Sequence, residues 1–339
     1  MIKNDDTRIR RRIVLKENSC TTFYKVPSLK VACKIGKDIV KGLNLLREAG
    51  LIHRDISGDN CLIYFDEESE SYYGKIADLE YCKEYRKVGA TSHNSDPILG
   101  TKEFTAVEVE KQFFLAPSSL LPLETEFHRH YLHDLESLYW LMVWCAFVLV
   151  HDDIQQVDVE MWEKAFFDLF PGVQGTSMKS SPGKLETICF PYAPLNALNR
   201  CGGRDEDTLT VLEDLFNLAN DLRSEYTRLQ TIPQDAHAHQ SISQDSRLQK
   251  LIYPQDTQLH KSIHPQDTQR PQVASSGTRC RWAQEHFRPD IYHKFSNVLE
   301  TVSNRLSEPD QVSMSMWKLY WEMEMERERV SERATGSHA

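Results

Sequence analysis

Two neighbouring stretches of this 339-residue chain carry residues whose types and spacing could do chemistry. The first is Leu51-Ile52-His53-Arg54-Asp55-Ile56-Ser57-Gly58-Asp59-Asn60, and the second is the apolar run Lys75-Ile76-Ala77 ending in Asp78. A carboxylate such as Asp55 accepts the proton of an attacking hydroxyl when it lies within hydrogen-bond reach and stays ionised. Asn60 follows five positions later, and the intervening Ser57, Gly58 and Asp59 are turn formers that let the chain double back. Asn60 and Asp78 both offer hard oxygen atoms, the ligands that Mg²⁺ prefers. The three side chains could therefore set a proton acceptor beside a divalent cation.

Further landmarks follow in order: Lys75-Ile76-Ala77-Asp78-Leu79-Glu80, then Gly100-Thr101-Lys102-Glu103-Phe104 with Glu108, then His133-Asp134-Leu135-Glu136-Ser137-Leu138-Tyr139-Trp140. With the His-Arg-Asp, four residues, Asn spacing of the first stretch, they resemble the fungal-type protein kinase family over roughly residues 8–150 and again in the C-terminal helical part. The resemblance implies an α+β fold, mainly α, built as a protein-kinase-like C-lobe. It also implies transfer of the ATP γ-phosphoryl group to a Ser/Thr hydroxyl of a protein substrate, with ATP and Mg²⁺ as cofactors. In that scheme Asp55 is the catalytic base, and Asn60 and Asp78 hold the metal. His53 and Arg54 are scaffold, and Thr101 bonds near Asp55. Glu108 forms a buried pair with a downstream arginine, and Asp134 accepts backbone hydrogen bonds from the loop.

The chain also departs from kinase patterns. Ser57 stands where a phosphoryl-neutralising lysine is usual, and Leu79-Glu80 replaces Phe-Gly, keeping an acid and losing a glycine hinge. Ile13-Val14-Leu15 resembles the last N-lobe strand, with only twelve residues before it. No Gly-x-Gly-x-x-Gly phosphate loop and no Val-Ala-Ile-Lys-like strand occurs. The expectation is a C-lobe with a stub of N-lobe, and a catalytically inactive scaffold that binds partners through the same lobe stays open beside the enzyme.

Composition excludes several classes. A net charge of −10 argues against electrostatic nucleic-acid binding, which needs a basic face. Arg8, Arg10, Arg11 and Arg12 are read as a solvated terminus. Eight cysteines are scattered without a Cys-x-x-Cys pair, which fits a reducing, intracellular setting, cytoplasmic or nuclear, rather than a disulfide framework. The polar N-terminus carries no secretory signal. The longest apolar run, Leu138 to Val150, spans 13 residues, and a membrane helix needs about 20. The His128-Arg129-His130-Tyr131-Leu132-His133 run lacks a carboxylate at a confirming spacing, so a metal is disfavoured.

Several elements must position these groups. Leu29, Ala32, Cys33, Ile35, Ile39, Val40, Leu43 and Leu46 recur at helical steps after Pro27-Ser28, ending at Gly50. Leu62–Phe65 and Tyr72–Ile76 read as a hairpin with an acidic tip. Leu135–Val150 reads as a core helix, followed by helices over 157–170 and 209–229, a Ser/Pro/Gly loop over 175–183 and a helix over 282–306. Thr91, Ser92 and Ser95 lie in a polar segment that could accept phosphate. Gln-Asp recurs at intervals of 10, 11 and 11 residues between Gln234 and Asp267, with too little apolar content to pack. The domain reading is 1–26 N-lobe remnant and hinge, 27–230 kinase-like C-lobe, 231–280 disordered repeat insertion, 281–325 helices completing the lobe, and 326–339 charged tail.

Overall fold

Ser28 starts the first long helix, its side chain accepting a hydrogen bond from Val31 N at 3.2 Å. Helix α1 (Leu29–Glu48) buries Ala32, Cys33, Ile35, Ile39, Val40 and Leu43 along one stripe. It ends as Gly50, at φ 76°, donates to Arg47 O. Lys37 and Lys41, off that stripe, pair with Glu300 and Asp38. The structure, a computed structural model, describes residues 20–85, 100–115, 127–150, 158–171, 181–190, 192–202, 206–232, 282–306 and 314–315. The expected strand near Ile13, the hydroxyls Thr91, Ser92 and Ser95, the repeat segment and the charged tail lie outside the described residues.

Strand β1 (Cys20–Thr22) precedes α1, and β2 (Leu51–Ile52) follows it. Then come β3 (Cys61–Asp66) and β4 (Ser71–Ile76), paired antiparallel from Cys61↔Ile76 to Asp66↔Ser71. Their tip is the acidic turn read from sequence. Strand β1 joins β3 on its other edge, giving the order β1-β3-β4, and β2 pairs with β5 (Lys83–Glu84). A short helix α2 (Val107–Lys111) leads to α3 (Tyr131–Val148), which runs directly into β6 (Leu149–Val150). Helices α4 (Val159–Leu169), α5 (Pro182–Cys189), α6 (Tyr192–Cys201), α7 (Glu206–Gln230) and α8 (Asp290–Arg305) are the remaining α-helices among the described residues, and β7 (Met314–Ser315) pairs with β6.

The fold is α+β and mainly helical, with small sheets at its edge. Helix α3 is buried nearly all round, so it forms the centre of the core rather than an amphipathic face. Leu135, Leu138, Tyr139, Trp140, Leu141 and Val143 have no solvent exposure. Helix α1 packs on both α3 and α8, and α7 packs on α3 and α8. The last described helix, α8, thus closes the same core that α1 opens.

Three elements differ from the sequence reading. The 175–183 loop is cut short, because Ser181 caps α5 by accepting from Lys184 N at 3.1 Å, with Pro182 in the first turn where its missing N–H costs nothing. Helix α6 holds Pro194 near its start, and that proline hides the helix from a periodicity search. Met314–Ser315 is a strand inside the 281–325 segment read as helices.

Candidate active site

The loop between β2 and β3 is fixed from below by the first turn of α3. Asp134 accepts from His53 N (2.7 Å, at Oδ2) and from Arg54 N (2.9 Å, at Oδ1). Its carboxyl is fully enclosed. Burial pushes its pKa up, while His53, the two amide bonds and Arg129 pull it back down. Arg54 sits at φ 79°, a left-handed conformation that a long side chain rarely adopts. Asp134 on its amide and Arg129 Nη1 on its carbonyl, at 2.7 Å, hold it there.

That twist presents Asp55. Asp55 Oδ1 accepts from Thr101 N at 3.1 Å and lies 3.3 Å from Thr101 Oγ1. The Asp55 carbonyl accepts from Asn60 Nδ2 at 2.9 Å. Asn60 therefore folds back over the turn, with its Oδ1 on the other branch of the amide. His53, with no solvent exposure, ties the two acids together. Its Nδ1 accepts from Asp55 N at 3.3 Å, so the ring faces Ala77 O, 2.9 Å away, with the hydrogen on Nε2. Ala77 N in turn donates to Asn60 O at 2.8 Å. The residue before Asp78 is thus pinned by both His53 and Asn60.

Asp78 is exposed and takes φ 58°, opening the turn Leu79–Tyr81. Its carboxyl pKa is raised, first by partial desolvation and then by the charges of Glu80 and Asp55, while His53 opposes. Asp78 feels the charges of Glu80 and Asp55, and these acids with the Asn60 amide are hard oxygen donors, so the residue types present fit magnesium.

Two glycines are needed by geometry. Gly100 has φ 120°, and a Cβ there would lie 3.2 Å from Arg54 O. A Cβ on Gly58 would meet the Tyr24 ring at 2.4 Å. Tyr24 roofs the turn, and Phe23 N donates to Gly58 O at 2.8 Å.

The closing segment is held by partners that the sequence did not reveal. Glu108 is fully buried but pairs with two histidines, not with the expected arginine: His133 Nε2 lies 2.9 Å and His130 Nε2 3.2 Å from its Oε2. Leu115 N donates to Oε1 at 2.6 Å. Burial pushes the Glu108 carboxyl up to about 8 and the His130 ring down to about 3. The three ligand atoms lie within 4.8 Å of one another, which resembles a metal set. His133 argues otherwise: its Nδ1 accepts from His130 N at 3.0 Å, so Nε2 carries the hydrogen and faces Glu108 as a donor.

Glu136 accepts from Val107 N (2.8 Å), Trp140 Nε1 (2.9 Å) and the Tyr226 hydroxyl, and burial raises its carboxyl to about 7. Lys184, wholly buried, donates to Lys102 O (3.2 Å), Thr105 O (3.0 Å) and Glu110 Oε1 (2.7 Å). It thereby grips the turn Lys102–Phe104 that carries Thr101 to Asp55. No periodic or motif signal in the sequence marks Lys184, because its helix starts inside a Ser-Pro-Gly stretch.

A loop carboxylate braced by a buried helix, an amide folded back beside it and a second acid on the next turn are now in view. Residues 3–146 match the family model for fungal protein kinase. No curated protein matches the chain. The fungal protein kinase match takes in the loop, Asp78, the closing segment and most of α3, whereas Lys184 and Tyr226 lie beyond it. Among the described residues, no helix is long and apolar enough to cross a membrane.

Proposed function

We propose that this chain is a protein-kinase-type phosphotransferase that moves the γ-phosphoryl group of ATP to a Ser or Thr hydroxyl of a protein substrate. The observation that carries this reading is the anchoring of Asp55. With Oδ1 engaged by both the amide and the hydroxyl of Thr101, Oδ2 is the oxygen left to receive the proton of the attacking hydroxyl. Asn60 and Asp78 would hold Mg²⁺, which on binding supplies the positive charge that phosphoryl transfer requires. Ser57 takes no part in charge neutralisation. It is buried, and its hydroxyl accepts from Asn60 N at 3.4 Å, bracing the turn.

The division of the chain follows from the same reading. Residues 27–230 form the lobe and 281–325 complete it, supported by the packing of α8 on α1 and α7. Residues 1–26 contribute the hinge side, and 231–280 form an insertion. The scatter of cysteines, unpaired among the described residues, supports a reducing, intracellular compartment.

A second reading, a lobe that binds without transferring, is favoured by one sequence fact. Neither a Gly-x-Gly-x-x-Gly loop nor a strand lysine for the phosphates occurs in the chain. Purified protein with Mg²⁺ and labelled ATP separates the two readings. Under the enzyme reading, label enters a Ser/Thr-containing protein substrate, and Asp55→Ala abolishes it with nucleotide binding retained. A ligand at about 100 times its Kd stabilises the fold by about 2.7 kcal/mol. No thermal shift at saturating Mg-ATP and no incorporated label would refute the enzyme reading and leave the binding lobe.

A further inference from the structure

Away from the loop, helices α4, α5 and α6 enclose an open groove of about 820 Å³. Its floor is apolar, formed by Met161, Ala165, Leu169, Pro194 and Ala197. Its rim is acidic, with Asp158, Glu160, Asp168 and Glu186 set against only Lys164 and Arg200 among the described lining residues. Met161 on this floor is 39% accessible, and Phe190 and Tyr192, between α5 and the start of α6, are 67% and 46% accessible. This volume falls in the range of about 300–1,000 Å³ typical of ligand sites.

Two of the acids that line the groove, Asp168 and Glu186, feel one another's charge. Partial burial and the charge of Glu186 both raise the Asp168 carboxyl, and Lys164 offsets this only in part. Asp168 is also locked in place where α4 meets α5. A Cβ at Gly183 would stand 2.6 Å from Asp168 Oδ2, so the glycine exists to admit that carboxylate. Ser181 Oγ donates to Asp168 O at 2.5 Å and fixes the same junction. A fixed carboxylate sharing an acidic rim with a second one, over an apolar floor, calls for a cation carried on an apolar body.

We propose that this groove docks a basic, amphipathic segment of a partner protein, with apolar side chains on the Met161–Ala165–Leu169 floor and arginine or lysine between Asp168 and Glu186. The site is independent of the phosphotransfer chemistry, yet it lies on the same helix. Helix α5 sends Lys184 inward to the carbonyls of Lys102 and Thr105 and presents Glu186 outward to the groove. A partner seated there is tethered on the far side of the helix that steadies the closing turn.

Fluorescence anisotropy on the full chain without nucleotide tests this. The probe is a labelled synthetic peptide of about 14 residues with leucines at helical i, i+3, i+4, i+7 spacing and arginines elsewhere. Saturable binding is expected, weakening by about tenfold in Asp168→Asn/Glu186→Gln and weakening with added salt. Ala197→Arg, which places a cation on the floor, is the second variant and should also lose the peptide. Circular dichroism checks that both variants fold. Equal binding of a shuffled peptide of the same charge, no loss in either variant, or no saturable binding at all would overturn the proposal.

Discussion

Removing the Asp134 carboxylate gives a sharp test of how the loop is held. Asp134→Ala leaves the buried amides of His53 and Arg54 without acceptors, and each unsatisfied buried donor costs about 1–3 kcal/mol. The sum, about 2–6 kcal/mol, is a large part of a domain stability of about 5–15 kcal/mol. Arg54 adds to the loss, since its φ of 79° is retained only while its amide and carbonyl are both bound. Asp134→Asn is the graded control. It keeps one acceptor but turns an NH₂ toward the second amide, so about half of the loss is expected. Urea denaturation followed by tryptophan fluorescence reads the total, as a drop in midpoint at unchanged slope. Hydrogen exchange read on a peptide spanning residues 51–60 locates it, because the two amides lose their protecting bonds. A change below about 1 kcal/mol in Asp134→Ala, or unchanged protection of that peptide, would refute the claim that this carboxylate holds the loop.

Other outcomes follow from the same geometry. Gly100→Ala forces a Cβ to 3.2 Å from Arg54 O at φ 120°, a strain of about 1–3 kcal/mol; it should lower the rate of label transfer more than it weakens nucleotide binding, read by kcat against KM. Lys184→Met leaves Glu110 and the carbonyls of Lys102 and Thr105 without their buried donor, a loss of about 3–5 kcal/mol; in a double-mutant cycle Glu110→Gln should recover part of it. Stability should fall as pH rises from 6.5 to 8, because Glu108 is raised from 4.5 to about 8 and the folded state holds its proton longer than the unfolded chain does. Below pH 6.5 the lowered His130, at about 3, acts in the opposite sense and offsets this slope. Chemical denaturation at the two pH values should show the alkaline loss in the parent and a flatter profile in Glu108→Gln.

The parts of the fold legible in the sequence are those written in local signals. Pro27-Ser28 and Gly50 bracket α1, the turn formers Ser57, Gly58 and Asp59 fold Asn60 back, and short apolar runs on either side of an acidic tip give the β3–β4 hairpin. The apolar run after His133 marks the central helix, though it begins at Tyr131 and not Leu135. What stayed hidden depends on distant pairing. His130 and His133 meet Glu108 across more than twenty residues, and neutral imidazoles leave no charge pattern to match against a carboxylate. Lys184 reaches back to Lys102 and Thr105 from a helix whose Ser-Pro-Gly start reads as a loop. A buried lysine also contradicts the expectation that lysines are solvated.

One turn of α3 explains why so many polar groups sit in an otherwise apolar helix. Successive residues on a helix point about 100° apart, so His133, Asp134 and Glu136 can each address a different segment. His133 meets Glu108 of α2, Asp134 takes the two loop amides, and Glu136 takes Val107 N at the start of α2. Apolar residues at these positions would fill the same space and fix none of the three segments relative to the others. Buried hydrogen-bonding groups cost desolvation, and they are tolerated when every partner is supplied, as it is for both oxygens of Asp134. The loop and the closing segment are therefore referenced to a common rigid turn, and through Thr101 the closing segment returns to Asp55 itself. Any substitution that shifts this turn by a fraction of an ångström displaces Asp55 and its Thr101 partner together. For that reason, changes at His133 or Glu136 should perturb the loop.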